Sequence, residues 1–180
     1  MMKKMMTLMP ALALIFAPAL PAQAPDARPD DVASPEAVVA AAYDAISRAP
    51  GENFDWDRFK SLHLPDARLV PATEQTGGEF RVLTVDEFSS WIDGWQAQSA
   101  PIGSEADEGF FERQIHGVTH RYGDIAQILS TYGKGVHGGE TTPIGINSFQ
   151  LVHHGDRWWI VSVIWDEIPG AGPIPEKYMP

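Results

Sequence analysis

Apolar residues recur at helical spacing in the first half of the chain and alternate along strand-like runs in the second. Val38, Val39, Ala42, Tyr43 and Ile46 mark one face of a helix that Ser34 caps. Pro35 suits its first turn, where a missing N–H is harmless, and Pro50-Gly51 stops it. A second, shorter helix over 55–62 turns Trp56, Phe59 and Leu62 inward and ends before Pro65. The third has the strongest start signal: Thr84-Val-Asp-Glu87 is a capping box, followed by Phe88, Trp91, Ile92 and Trp95 at i, i+3, i+4 and i+7.

Beyond these helices the period changes. Residues 110–121 and 125–132 read as long strands joined at Tyr122-Gly123-Asp124, and a Gly-rich excursion over 133–145 leads into a C-terminal hairpin. That hairpin folds about Gly155-Asp156, where glycine supplies the positive φ of a tight turn. Two short runs, 67–71 and 80–83, flank Gly77-Gly78 and predict a small hairpin or a pair of edge pieces. Helices first and an antiparallel meander afterwards is an α+β pattern, with the helices gathered on one face of a curved sheet. Strict alternation puts Phe149, Leu151, Trp158, Ile160, Ser162, Ile164 and Asp166 on one side of the C-terminal hairpin. Ile146, Val152, Trp159, Val161, Val163 and Trp165 fall on the other. Both sides are apolar, so one is expected to meet the helices and a pocket, and the other a second subunit or the monomer's own cover.

The first 24 residues carry a separate message. Lys3 and Lys4, an apolar stretch broken by Pro10 and Pro18, and Ala22-Gln23-Ala24 predict a signal peptide and an exported, periplasmic or secreted protein. The stretch is too short and too interrupted for a membrane span. Residues 25–33 read as a loose leader, 34–168 as a single domain and 169–180 as an irregular tail. The absence of cysteine excludes a disulfide framework and lipid attachment through an N-terminal thiol. With 13 basic against 24 acidic side chains the net charge is −11, and signal removal makes it more negative. Phosphate backbones and anionic membranes are therefore unfavourable partners.

Three segments together resemble the nuclear transport factor 2-like superfamily, specifically its SnoaL-like branch. They are Pro65-Asp-Ala-Arg-Leu-Val70, the run from Val118 through Tyr122-Gly-Asp124 to Tyr132, and Gly155-Asp-Arg-Trp-Trp-Ile-Val-Ser-Val-Ile-Trp165. The resemblance implies a cone, with one long and two shorter helices in the concave face of a strongly bent antiparallel sheet. A pocket at the open end and frequent dimerisation through the sheet are also implied. No single function follows, because this fold hosts isomerases, cyclases, dehydratases and non-catalytic binders. In ketosteroid isomerase, an enzyme of this shape, the base is an aspartate shortly after an Asp-Ala pair. The matching place here falls on or beside Pro71, so the resemblance does not extend to that base; Asp66 itself reads as a turn residue.

Chemistry needs polar groups inside the cone. His116, Val118 and His120 share a face of a strand that lines the cavity in relatives of this shape, with Ser130 and Tyr132 on the partner strand. His116 with Tyr132 is the candidate acid/base pair, set against the plainer reading of a solvated surface histidine. The expected ligand-contacting set adds Trp91, Trp95, Trp158 and Trp165, together with Val118, His120, Ser162 and Asp166; Glu167 and Asp93 are further sources of a carboxylate. No metal or cofactor is expected, since four strand residues separate His116 from His120 by roughly 13 Å, too far to share an ion. The stretch 133–139 lacks the strand-to-helix context of a phosphate loop and reads as a rim over the pocket mouth or as connecting slack. Three functions stay open: a pocket that binds a small hydrophobic molecule, a SnoaL-like isomerase, cyclase or dehydratase, and a non-catalytic dimerisation module.

Overall fold

The computed structural model describes residues 26–180; the expected signal peptide and Pro25 lie outside the described residues. Three α-helices, α1 (Pro35–Ala45), α2 (Trp56–Ser61) and α3 (Val85–Ser99), accompany five strands. The strands are β1 (His63–Pro71), β2 (Phe111–Tyr122), β3 (Ile125–Gly135), β4 (Gly145–His154) and β5 (Arg157–Glu167). They form one sheet in the order β1-β5-β4-β3-β2, antiparallel except for the parallel β1–β5 pair. The result is the α+β cone expected from the sequence: a bent, unclosed sheet with the helices on its concave side.

The local start signals operate as the sequence predicts. Ser34 accepts a hydrogen bond from the Ala37 N–H at 3.1 Å. Thr84 and Glu87 close a reciprocal capping box, with Glu87 N–H on Thr84 Oγ1 at 3.2 Å and Thr84 N–H on Glu87 Oε2 at 2.8 Å. Helix α1 stops at Ala45, short of Pro50, because the Arg48 backbone pairs with Phe110 (N–H to O, 2.7 Å; return bond, 3.0 Å). Val38 and Leu62 from the helical side pack against Ile128, Phe149 and Ile160 from the sheet, forming the buried core.

Four features differ from the sequence reading. The run 67–71 begins earlier, at His63, and pairs with β5 rather than with 80–83. Leu83 contributes only a bridge to Leu69, with two hydrogen bonds of 2.8 and 2.9 Å. Residues 29–32, within the expected loose leader, form a 3-10 turn that buries Val32 and sets Asp31 in a two-pronged ion pair with Arg58 at 2.7 and 2.9 Å. The tail returns to the sheet, where Tyr178 C=O accepts from Thr131 Oγ1 at 2.5 Å. Finally, two β-bulges interrupt strict alternation, one in β2 between Gln114 and His116 and one in β5 between Ile160 and Ser162.

Those bulges decide which side chains face the helices. Each adds one residue to its strand without adding one to the partner, so facing inverts beyond it. In β5, Trp158 and Ile160 are buried, Val161 is 38% exposed, and burial resumes at Val163 rather than Ser162. Val163 and Trp165 therefore share the inner side with Phe149 and Leu151, whereas Ser162, Ile164 and Asp166 face out. This corrects the two-sided hairpin pattern expected from alternation alone.

Candidate functional site

Between the helices and the sheet lies a cavity of about 370 Å³. Helix α1 presents Tyr43 and its C-cap Ile46, α3 presents Trp91 and Trp95, and β5 contributes Trp165. The aromatic wall is built from edge-on ring pairs. Phe88 stands edge-on to Trp91 and Trp165, with centroids 6.3 and 5.8 Å apart, and Trp95 does the same with Phe110 at 6.3 Å. Trp95 is 51% exposed, which places it at the mouth. Such geometry combines a large apolar contact area with quadrupolar ring faces.

The polar groups gather at the sheet end. Glu112, Tyr132, Lys134, Asn147 and Glu167 come from four neighbouring strands and line the same cavity. Asn147 Nδ2 donates to Glu112 Oε1 at 3.2 Å and to Tyr43 Oη at 3.0 Å. Tyr43 Oη is also 2.7 Å from Ser130 Oγ, which donates to Gln114 Oε1 at 2.9 Å. Tyr132 O–H and Lys134 Nζ both donate to Glu167 Oε1 at 2.5 Å. Gln75 Nε2, another lining side chain, is buried with no hydrogen-bond partner.

Gly145 makes the Tyr132–Glu167 contact sterically available. Tyr132, Gly145 and Glu167 sit opposite one another on β3, β4 and β5. A Cβ on the central residue would lie 2.4 Å from the Asp166 carbonyl oxygen, 2.9 Å from Tyr132 Cε1 and 3.0 Å from Glu167 Cγ. With only hydrogen there, the phenol reaches across the row. The site is thus assembled by strand register, with a glycine where a side chain would block it.

Desolvation dominates the electrostatics. Burial raises the Glu112 carboxyl to about 7; Lys134 and the Asn147 hydrogen bond pull it down, and Glu167 pushes it up. The Tyr43 and Tyr132 phenols are both driven far above their ordinary value, burial first and the Glu112 charge second, so both remain protonated donors. Lys134 balances Glu167 through their ion pair. Glu112 is therefore a carboxyl that can exchange a proton near neutral pH against a largely apolar wall.

A buried ion pair braces the wall beside Phe110. Arg48 Nη2 lies 2.8 Å from Asp107 Oδ1, and both side chains are fully enclosed. Asp107 also accepts from the N–H groups of Gly51 and Gly103 at 2.9 Å and of Gly109 at 3.1 Å. Led by Arg48, these donors hold its carboxyl far below the usual range. Gly109 has φ +70°, and a Cβ there would meet the Arg48 carbonyl oxygen at 2.8 Å, so only glycine lets the two segments approach.

The residues expected from sequence separate into two groups. Trp91, Trp95, Tyr132 and Trp165 line the cavity. His116, Val118 and His120 do not. They pair across with Thr131, Leu129 and Gln127, which face away from the cone, so His116 and Tyr132 never meet. The bulge after Gln114 is the cause: Glu112 and Gln114 precede it and face in, and His116 follows it and faces out. Ser162 and Asp166 are likewise turned outward by the β5 bulge. Trp158 is buried on the inner side but beneath Arg121, whose guanidinium carbon lies 4.7 Å from the ring centroid, outside the cavity lining. Glu112, Lys134 and Asn147 were not singled out by sequence reasoning, and Tyr43 was read there only as part of the apolar face of the first helix. The one available signal is that Glu112 shares the alternating face first assigned to His116. Among the described residues no group of three or more His, Asp or Glu side chains could hold a metal.

No family model matches this sequence, and no curated protein is similar to it. Solved structures are. A protein with a cystatin-like fold from Caulobacter vibrioides aligns with a TM-score of 0.52 at 12% identity, covering 76% of this chain and 89% of that one. A Parabacteroides distasonis protein provisionally named a ketosteroid isomerase aligns at 0.50 and 14%, over 76% and 89%. A nuclear transport factor 2-like protein of unknown function from Silicibacter pomeroyi gives 0.48 and 18%, over 73% and 91%. At these identities the likeness is one of fold alone, and the Caulobacter alignment agrees with the strand order and the seated helices: the chain has an α+β cone of the cystatin-like kind.

Proposed function

We propose that this protein binds a small hydrophobic molecule in the cavity between α1, α3 and the sheet. The observation that carries the reading is the aromatic wall of Trp91, Trp95, Phe110 and Trp165, open at Trp95 and closed at the sheet end by a polar cluster. Mostly apolar cavities of this size with a few convergent polar groups are the usual form of a small-molecule site. Titration with 1-tetralone, a neutral aromatic ketone, should quench tryptophan emission saturably, and Ile46→Phe, which fills the cavity from α1, should weaken it. Unsaturable quenching, or quenching indifferent to that substitution, would sink the reading.

A second reading, acid/base catalysis, is favoured by one observation: Glu112 can gain or lose a proton near neutrality while Tyr43 and Tyr132 remain donors. A carboxylate so placed would remove a proton next to a ligand carbonyl, and a phenol would steady the resulting oxyanion. Exchange of the α-protons of 1-tetralone for deuterium in D₂O, followed by NMR, tests this. Protein-dependent exchange that Glu112→Gln abolishes is expected; no exchange above buffer leaves binding without catalysis.

Export and homodimerisation accompany the binding reading as proposals. The signal-like N-terminus motivates the first, tested by fractionating cells that express the full chain. The second rests on an outer sheet face carrying Val161 and Ile164, the latter 51% exposed, and is tested by light scattering.

A further inference from the structure

Three ionisable carboxyl or ammonium groups line the cavity, those of Glu112, Lys134 and Glu167. Two of them cancel, because Lys134 Nζ sits 2.5 Å from Glu167 Oε1 and Tyr132 O–H donates to the same oxygen. Glu112 has no such cation. Its carboxyl accepts from the neutral amide of Asn147 through Oε1, and no other side-chain donor reaches it among the described residues. The remaining wall is electron-rich aromatic surface, presented by Tyr43, Trp91, Trp95 and Trp165.

Resting on the binding function proposed above, we infer that the cavity selects a hydrophobic molecule bearing a protonated amine. Its ammonium group would pair with Glu112 and lie against the ring faces. Both features favour a cation: a carboxylate with no cation in direct contact gains a charge-assisted hydrogen bond, and aromatic faces attract positive charge. Both disfavour an anion, which would be repelled by Glu112 and by Glu167 once it displaced Lys134. A neutral alcohol fits the walls but forgoes the ionic contact.

Binding an ammonium ion favours the ionised carboxyl, so amine affinity should rise with pH as Glu112 loses its proton. The groups facing Glu112 are Tyr43 from α1, Tyr132 and Lys134 from β3 and Glu167 from β5, with neutral Asn147 from β4. The two phenols remain protonated throughout this interval, and Lys134 is in an ion pair with Glu167 rather than with Glu112. Glu112 is therefore the group that changes.

Calorimetric titration of the full chain with 4-phenylbutylamine, 4-phenylbutan-1-ol and 4-phenylbutyrate compares three head groups on one apolar body. At about pH 8 the amine should bind at least about tenfold tighter than the alcohol, and the carboxylate weakest. The amine-to-alcohol ratio should fall towards one at about pH 5.5. Glu112→Gln should bring the ratio near one at both pH values, and Lys134→Met, which frees Glu167, should raise it. Equal binding of all three, preference for the carboxylate, or an amine preference that survives Glu112→Gln overturns the inference and leaves the apolar site standing. An unchanged or lowered ratio in Lys134→Met also overturns it. Failure of all three compounds to bind overturns the inference and the site together.

Discussion

Replacing Glu112 by glutamine should make the protein more tolerant of alkaline pH. In the unfolded chain this carboxyl ionises near its ordinary 4.5, and in the fold burial raises it to about 7. The folded state therefore holds the proton more tightly. Stability from this group is fully present below about 4.5 and is lost as pH rises through about 7, a change of about 3 kcal/mol. Glutamine keeps the side-chain shape and can still accept from Asn147, but has no charge to desolvate. The wild-type curve alone would hide the effect, because His63 works against it. Burial lowers that imidazole to about 4, while its Nδ1 hydrogen bond to the Phe59 carbonyl oxygen at 2.8 Å opposes the shift. The fold thus favours neutral His63 and is destabilised as pH falls from about 6.5 to 4. Between about 4.5 and 6.5 the two slopes have opposite sign and similar size. The difference between variant and wild type cancels the histidine and isolates Glu112. Urea unfolding followed by tryptophan emission, at about pH 5 and about pH 8, should show Glu112→Gln gaining about 2.5 kcal/mol relative to wild type between the two. A difference that does not change with pH would refute the claim that Glu112 is held in a desolvated site.

Gly145→Ala would place a methyl group 2.4 Å from the Asp166 carbonyl oxygen; the expected loss is ~1–3 kcal/mol in urea unfolding, with weaker retention of cavity ligands. Asp107→Ala should lower the thermal midpoint far more than Asp66→Ala, because it strands Arg48 in a closed site and leaves the Gly51, Gly103 and Gly109 N–H groups unmatched; equal midpoints would show that the brace is dispensable. Thr84→Ala removes the cap of α3 and should lower urea stability by about 1 kcal/mol.

Local chemistry was legible without the fold. Ser34, Thr84 and Gly155 act within a few residues of themselves, so the helix starts and the final hairpin could be read from neighbours in sequence. The cavity's apolar character followed from Trp91 and Trp95 at helical spacing. The parallel partner of β1 was not legible, since nothing near Leu69 in sequence indicates that Val163 will lie beside it.

The polar site was the least legible part, for one physical reason. Alternation along a strand is a local property, but whether it survives from one end to the other depends on the partner strand. A single extra residue in β2 sends His116 outward and leaves Glu112 inside; another in β5 exchanges Asp166 for Glu167. Residue types and periodicity therefore determined by themselves that helices would gather on one face of a curved antiparallel sheet, and the hollow between them was implied by the resemblance. Tertiary pairing decided which carboxyl entered it, because only the neighbouring strand establishes where a bulge forms and which face each later side chain takes.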